Sequence, residues 1–188
     1  MAVLGPILVT ERLILRPPAP EDFDAWAAFS ADPETMRFLG GVQSRAVAWR
    51  AFCGLAGAWQ LTGIGMFSLI ERSTGAWIGR VGPWRPEGWP GSEVGWGVAR
   101  ASVGKGFAHE AAVASMDHAV DVLGWDDVIH TIAPDNAGSI ALARRLGSVN
   151  RGPTRMPEPF AGLPVDAWGQ SAAEWRARRR SGEISPTA

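Results

Sequence analysis

Gly104 and Gly106 stand between an alternating run and an alanine-rich run, and this junction constrains the chain more than any other stretch. Residues 92–98 alternate as a strand does, with Val94, Trp96 and Val98 on one face and Glu93, Gly95 and Gly97 on the other. Residues 107–123 read as a helix. Between them, two glycines let the backbone bend and carry no Cβ to hold a ligand oxygen away from the main-chain amides. The first N–H groups of the helix lack intrahelical partners and sit at the positive end of its dipole. Together with Lys105 they make an anion site, so 103–108 reads either as a phosphate cradle or as a plain turn at a helix boundary. A Walker loop is excluded, because Lys105 is followed by Gly106 rather than Ser or Thr. A dinucleotide fingerprint is excluded too, since His109 stands where a third small residue is needed and no early strand–helix unit precedes it.

Any polyanion must be held by such a local site. The chain has 18 Lys and Arg against 19 Asp and Glu, a net charge of −1, so no global field invites nucleic acid or an acidic membrane. Its 188 residues, 46% hydrophobic, suffice for one well-cored domain, expected over 1–175, with a basic, frayed, solvated tail over 176–188. A single cysteine, Cys53, leaves no disulfide framework or cysteine-rich zinc site; between Phe52 and Gly54-Leu55 it reads as a small buried hydrophobe rather than a nucleophile. His109 and His118 fall on opposite faces of their helix and His130 lies in a separate strand, so no metal is expected. Residues 1–8 lack a basic start and no run of about 18 apolar residues occurs, so the expected location is the cytoplasm, with no membrane partner.

In chain order, residues 10–16 read as a strand stopped by Pro17 and Pro18. Helices follow over 21–30, from Pro33, and over 46–61 after the Gly40-Gly41 break. Residues 65–70 and 76–81 form a hairpin about a glycine-bearing turn. Residues 82–91 read as a long irregular connection, whose Trp84 and Trp89 either line a functional loop or cap the sheet edge. A short strand over 128–132 ends at Pro134, and Asp135 or Asn136 caps a helix closed by Gly147.

Val103-Gly104-Lys105-Gly106-Phe107-Ala108 resembles the pyrophosphate loop of the GNAT superfamily of acyl-CoA-dependent N-acyltransferases, R/Q-x-x-G-x-G/A, with Val103 in place of the Arg or Gln. Asn136-x-x-Ser139, followed by Arg145-Leu146-Gly147, resembles that superfamily's second signature, with Ser148 where an aromatic is usual. The two stand in the family's order, and the opening with Asp22 and Asp32-Pro33-Glu34 is similar to the RimJ/RimL-like branch. The resemblance covers 10 to about 175. It implies an α/β (α+β) fold with a mixed, mainly antiparallel sheet flanked by helices. Acetyl-CoA is the implied co-substrate: its pyrophosphate on Val103, Gly104, Lys105, Gly106, Phe107 and Ala108, its pantetheine arm along Trp96, Gly97 and Val98, with Asn136 and Ser139 beside it.

The acceptor is then a small-molecule or peptide primary amine, which must lose a proton at neutral pH before it attacks a thioester. Glu93 faces the shallow groove left by Gly95 and Gly97, and is the candidate base or amine-binding group, the alternative being a pair with a surface cation. Many family members protonate the departing thiolate with a tyrosine, but this chain has none. Ser139 or water is left to do so, unless the Ser139 hydroxyl only satisfies local backbone. With Cys53 read as buried, direct transfer in a ternary complex is expected rather than a covalent acyl-enzyme. The alternative is a non-catalytic acyl-CoA sensor on the same fold, which the missing tyrosine favours and Glu93 opposes. The determinants of acceptor choice are expected at 36–44, in the loop from Trp84 to Pro90, and at 153–164. A monomer or homodimer is expected.

Overall fold

The computed structural model describes residues 5–185. Leu13 and Leu15 are fully buried while their neighbours are not, and that alternation makes Leu13–Arg16 a strand (β2) paired with the short β1, Leu8–Val9. Pro17 ends it, and α1 (Phe23–Ala31), α2 (Pro33–Met36) and α3 (Arg45–Thr62) follow. The start of α1 is anchored to the sheet by Arg16, which donates to both oxygens of buried Asp22 at 2.8 and 2.7 Å. Then come β3 (Phe67–Glu71), β4 (Trp77–Trp84), β5 (Glu93–Val98), α4 (Phe107–Asp117, continued as a π-helical turn to Val122) and β6 (Asp127–Ile132). The chain closes with α5 (Ala137–Arg145), β7 (Val149–Thr154), β8 (Val165–Ser171) and α6 (Ala172–Ser181).

The strands form one mixed sheet ordered β1-β2-β3-β4-β5-β6-β8-β7, antiparallel except for the β5–β6 pair. Helices cover both faces. Val94 joins the larger core with Phe107, Ala111 and Met116 of α4 and Trp175 of α6, whereas its neighbour Gly95 faces Met66, which packs with Trp26 of α1 and Phe52 and Leu55 of α3. Successive strand residues point to opposite faces, so the site-bearing strand lies between the two helical layers. This is the mixed, helix-flanked architecture that the sequence predicts.

The β5–β6 pairing is interrupted almost as soon as it starts. Only Glu93 and Ile129 are in register, with the Ile129 N–H donating to Ser92 O at 2.9 Å. The next parallel rung would join the Thr131 N–H to Val94 O. Instead the Thr131 N–H donates to the Glu93 carboxylate at 3.0 Å, and Val94 O accepts from His130 Nδ1 at 2.7 Å. Two side chains thus satisfy the backbone groups of the missing rung, and the strands part without orphaned polar atoms. Past this point no strand among the described residues pairs with β5 on its β6 side.

Four sequence expectations need correction. The connection expected over 82–91 is shorter, because β4 continues to Trp84, paired with Glu93. β3 begins at Phe67 opposite Val81, which leaves β4 an open edge where Pro83 is tolerated. Cys53 is exposed, not buried: α3 buries Ala48, Phe52, Leu55 and Trp59, and Cys53 lies just off that stripe. The open groove expected over Gly95 and Gly97 is filled: a Cβ at Gly95 would lie 2.6 Å from the Met66 methyl and one at Gly97 3.0 Å from Phe29 and 3.2 Å from Leu39, and of the two only Gly95 lines the cavity described below. Residues 176–185 are not frayed. Helix α6 runs to Ser181, Trp175 is fully buried with its indole N–H on Asp117 at 2.9 Å, and Ile184 is in the core. Residues 186–188 of the expected tail lie outside the described residues.

Candidate active site

A cavity of about 420 Å³ opens where β5 and β6 part, and Glu93 lies on its wall. On one side are Trp96, Asn136 and Ser139; on the other are Trp84, Trp89 and Arg80. The register explains the second group: Trp84 lies opposite Glu93 and Arg80 opposite Gly97, so their side chains share a face with Glu93.

Glu93 is 5% exposed. One of its oxygens accepts from the Trp89 indole N–H, and the other from the Thr131 N–H and hydroxyl, both at 3.0 Å. Burial pushes its proton affinity above the ordinary carboxylate value, while these donors and the nearby Arg80 charge pull the other way without cancelling it. The result is a fixed carboxylate with raised basicity, facing the cavity. Trp89 is held in turn by edge-on contacts with Trp84 and Phe160, at 6.4 and 6.3 Å between ring centroids.

Across the gap, Asn136 caps α5 by accepting from the Ser139 N–H at 3.1 Å, so its side-chain oxygen is already engaged. The Ser139 hydroxyl oxygen accepts from the Trp96 indole at 3.1 Å, and its own proton has no recorded acceptor among the described residues. His130 lies 4.7 Å from the Trp96 ring and is 1% exposed. Because Val94 O can only accept, the His130 Nδ1 carries the proton, and Nε2 faces the Ser148 hydroxyl at 3.1 Å. Burial lowers its pKa to about 4, so it is neutral near pH 7.

The glycine loop leaves the end of β5 through a 3₁₀ turn and enters α4, outside the cavity lining. Gly104 and Gly106 take φ of 79° and 81°, a left-handed conformation in which a side chain is strained. The first bond of α4 to close is Glu110 N–H to Gly106 O at 3.1 Å, so the amides of Gly106, Phe107 and Ala108 point out of the helix end. Val103, Gly104 and Lys105 are exposed. The loop is tethered from beneath: Arg12 donates to Lys105 O at 2.9 Å and to the fully buried Glu110 at 2.6 Å. Glu110 also accepts from the Thr10 hydroxyl at 2.6 Å and the Arg12 N–H at 2.8 Å.

The sequence-predicted residues therefore fall into two places. Glu93, Trp84, Trp89, Trp96, Asn136 and Ser139 meet in the cavity; Gly97, Val98 and the 103–108 loop lie outside its lining. Sequence reasoning missed Arg80, Thr131 and His130 as parts of the site, and Arg12 with Glu110 as the tether. The β4–β5 register is the signal that would have placed Arg80, but no sequence pattern fixes it. Cys53, though exposed, does not line the cavity.

Residues 12–149 match the family described as "Acetyltransferase (GNAT) domain". An "Uncharacterized N-acetyltransferase p20" of Bacillus licheniformis is 29% identical over 164 residues, 86% of this chain and 92% of that protein. Among solved structures, an acetyltransferase from Agrobacterium tumefaciens superposes with a TM-score of 0.78 at 32% identity, over 88% of this chain and 94% of that one. A ribosomal-protein-S5-alanine acetyltransferase from Vibrio fischeri shares the fold, with a TM-score of 0.69 at 16% identity over 91% of this chain and 99% of that one.

Proposed function

The chain belongs to the GNAT acetyltransferase family, and from that premise we propose that it transfers an acetyl group from acetyl-CoA directly to a primary amine, with Glu93 as the base. The family makes it an acyltransferase; the co-substrate, the acceptor and the residue roles are the proposal. Its main support is the position of Glu93, a buried carboxylate at the point where β5 and β6 part and on the wall of the cavity.

Acetyl-CoA brings a diphosphate and a thioester joined by a long amide-bearing arm. The outward amides of Gly106, Phe107 and Ala108, with exposed Gly104 and Lys105 beside them, suit the diphosphate, and the unpaired side of β5 beyond Glu93 suits the arm. Binding energy from the nucleotide then positions the acyl carbon at the gap. The amine, bound on the Trp84 and Trp89 side, passes a proton to Glu93 directly or through one water. Its lone pair forms the N–C bond as the C–S bond breaks, and the sulfur leaves as a thiolate. The nitrogen's second proton is lost as the amide forms, and Ser139, whose hydroxyl proton is uncommitted, or water relays it to that sulfur. No nucleophilic cysteine lines the cavity, which supports direct transfer over an acyl-enzyme.

Steady-state assay of thiol release against a panel of amines tests this. Replacing Glu93 with Gln keeps the side-chain shape and removes the base, so kcat is expected to fall about 10²- to 10⁴-fold with KM for acetyl-CoA nearly unchanged. Undiminished turnover in that variant would remove Glu93 from the mechanism.

A further inference from the structure

Arg80 brings a positive charge with no ion-pair contact into this cavity. Its Nε is buried without a hydrogen-bond partner, and no carboxylate among the described residues comes within ion-pair distance of it. The guanidinium reaches the Met66 sulfur, a weak acceptor, and lies over the Trp26 ring at 5.6 Å. Burial lowers its pKa only to about 10, so it is charged at neutral pH. A guanidinium offers five donors, and a buried Nε–H left unmatched away from water is costly, while the side chain as a whole is only partly buried. A second buried polar atom without a partner, Gln43 Oε1, belongs to a residue on the same wall.

Glu93 is close by. Met66 joins the two: its sulfur contacts Arg80, and its methyl lies 2.6 Å from where a Cβ on Gly95 would be, with Glu93 Oε1 3.4 Å from the same point. The cavity therefore holds one fixed cation and one fixed anion on either side of one thioether side chain. Most of the rest of its wall is apolar and aromatic, including Trp26, Phe38, Trp84, Trp89 and Phe160, and its volume of about 420 Å³ suits a small molecule. A simple cationic amine would meet Glu93 but leave Arg80 unpaired and repelling it. A zwitterion neutralises both.

We infer that the acceptor is a free amino acid with an aromatic or apolar side chain, its carboxylate paired with Arg80 and its amine held at Glu93. This deepens the acyl-transfer reading and rests on it.

The test compares L-phenylalanine with phenethylamine, L-phenylalaninamide and a tripeptide beginning with phenylalanine, by thiol release from acetyl-CoA. L-Phenylalanine is expected to be preferred over each by about 10- to 100-fold in kcat/KM, the value of a hydrogen-bonded charge in a buried site. Arg80→Met is expected to collapse that preference through KM for the amino acid, leaving KM for acetyl-CoA unchanged, and Arg80→Lys to restore part of it. Equal or better use of the amine, the amide or the tripeptide by the unmodified protein overturns the inference, whatever the variants do. If no amine supports thiol release, the acyl-transfer reading fails separately. Calorimetry of L-phenylalanine into the CoA-saturated protein then decides: saturable heat abolished by Arg80→Met supports the carboxylate site, and no saturable heat overturns it.

Discussion

Among single residues, the environment of Glu93 decides the chemistry. Burial raises its proton affinity above the ordinary value of 4.5, so the rising limb of kcat against pH should lie above that value and vanish in Glu93→Gln. The same shift has a consequence for stability. A carboxylate that binds its proton more tightly when folded favours the fold in acid, and that contribution is lost as pH rises through the folded-state pKa. Glu93→Gln should therefore be the more stable protein near neutrality, with the gap closing as pH falls below the ordinary glutamate range; denaturant midpoints at several pH values measure it. Glu93 was legible in the sequence, because strict alternation over 92–98 puts one carboxylate and two glycines on a common face. Its partners were not. Thr131, His130 and Arg80 come to it through the β4–β5–β6 register, and three short strands far apart in sequence carry no local mark of how they align.

Among elements, the junction of β5, the glycine loop and α4 was readable, since left-handed φ at Gly104 and Gly106 is what glycine at those places supplies. The tether beneath it was not, because Arg12 and Glu110 are far apart in sequence and look like ordinary surface charges. Arg12 holds Lys105 O and covers buried Glu110, so Arg12→Met should loosen the loop and raise KM for acetyl-CoA several-fold while KM for the acceptor changes little. A parallel change in both constants would assign Arg12 to general stability instead. Cys53 shows the opposite failure. An apolar neighbourhood in sequence suggested burial, yet helical phase puts Phe52 inside and Cys53 outside.

For the molecule as a whole, the mixed, mainly antiparallel sheet with helices on both faces was legible as a family resemblance, which also implies that the Glu93-bearing strand parts from its neighbour; the strand order and the side chains that hold the opening were not. That opening follows from two side chains, Glu93 and His130, standing in for one backbone rung. The ordered C-terminal segment also escaped the sequence reading, because a run of arginines suggests solvation. Arg179 pairs with Asp117 at 2.9 Å and donates to Ile184 O at 2.7 Å, fastening the helix over the core. Trp175→Ala should lower unfolding free energy by about 3–5 kcal/mol, the range for emptying a buried indole site, as read from denaturant titration. The most direct test of the central claim is a crystal structure with CoA bound. The diphosphate is expected on the main-chain amides of 104–108 and the sulfur in the gap between β5 and β6, facing Glu93. A nucleotide lodged elsewhere, or a sulfur on the far side of the sheet from Glu93, would contradict the account.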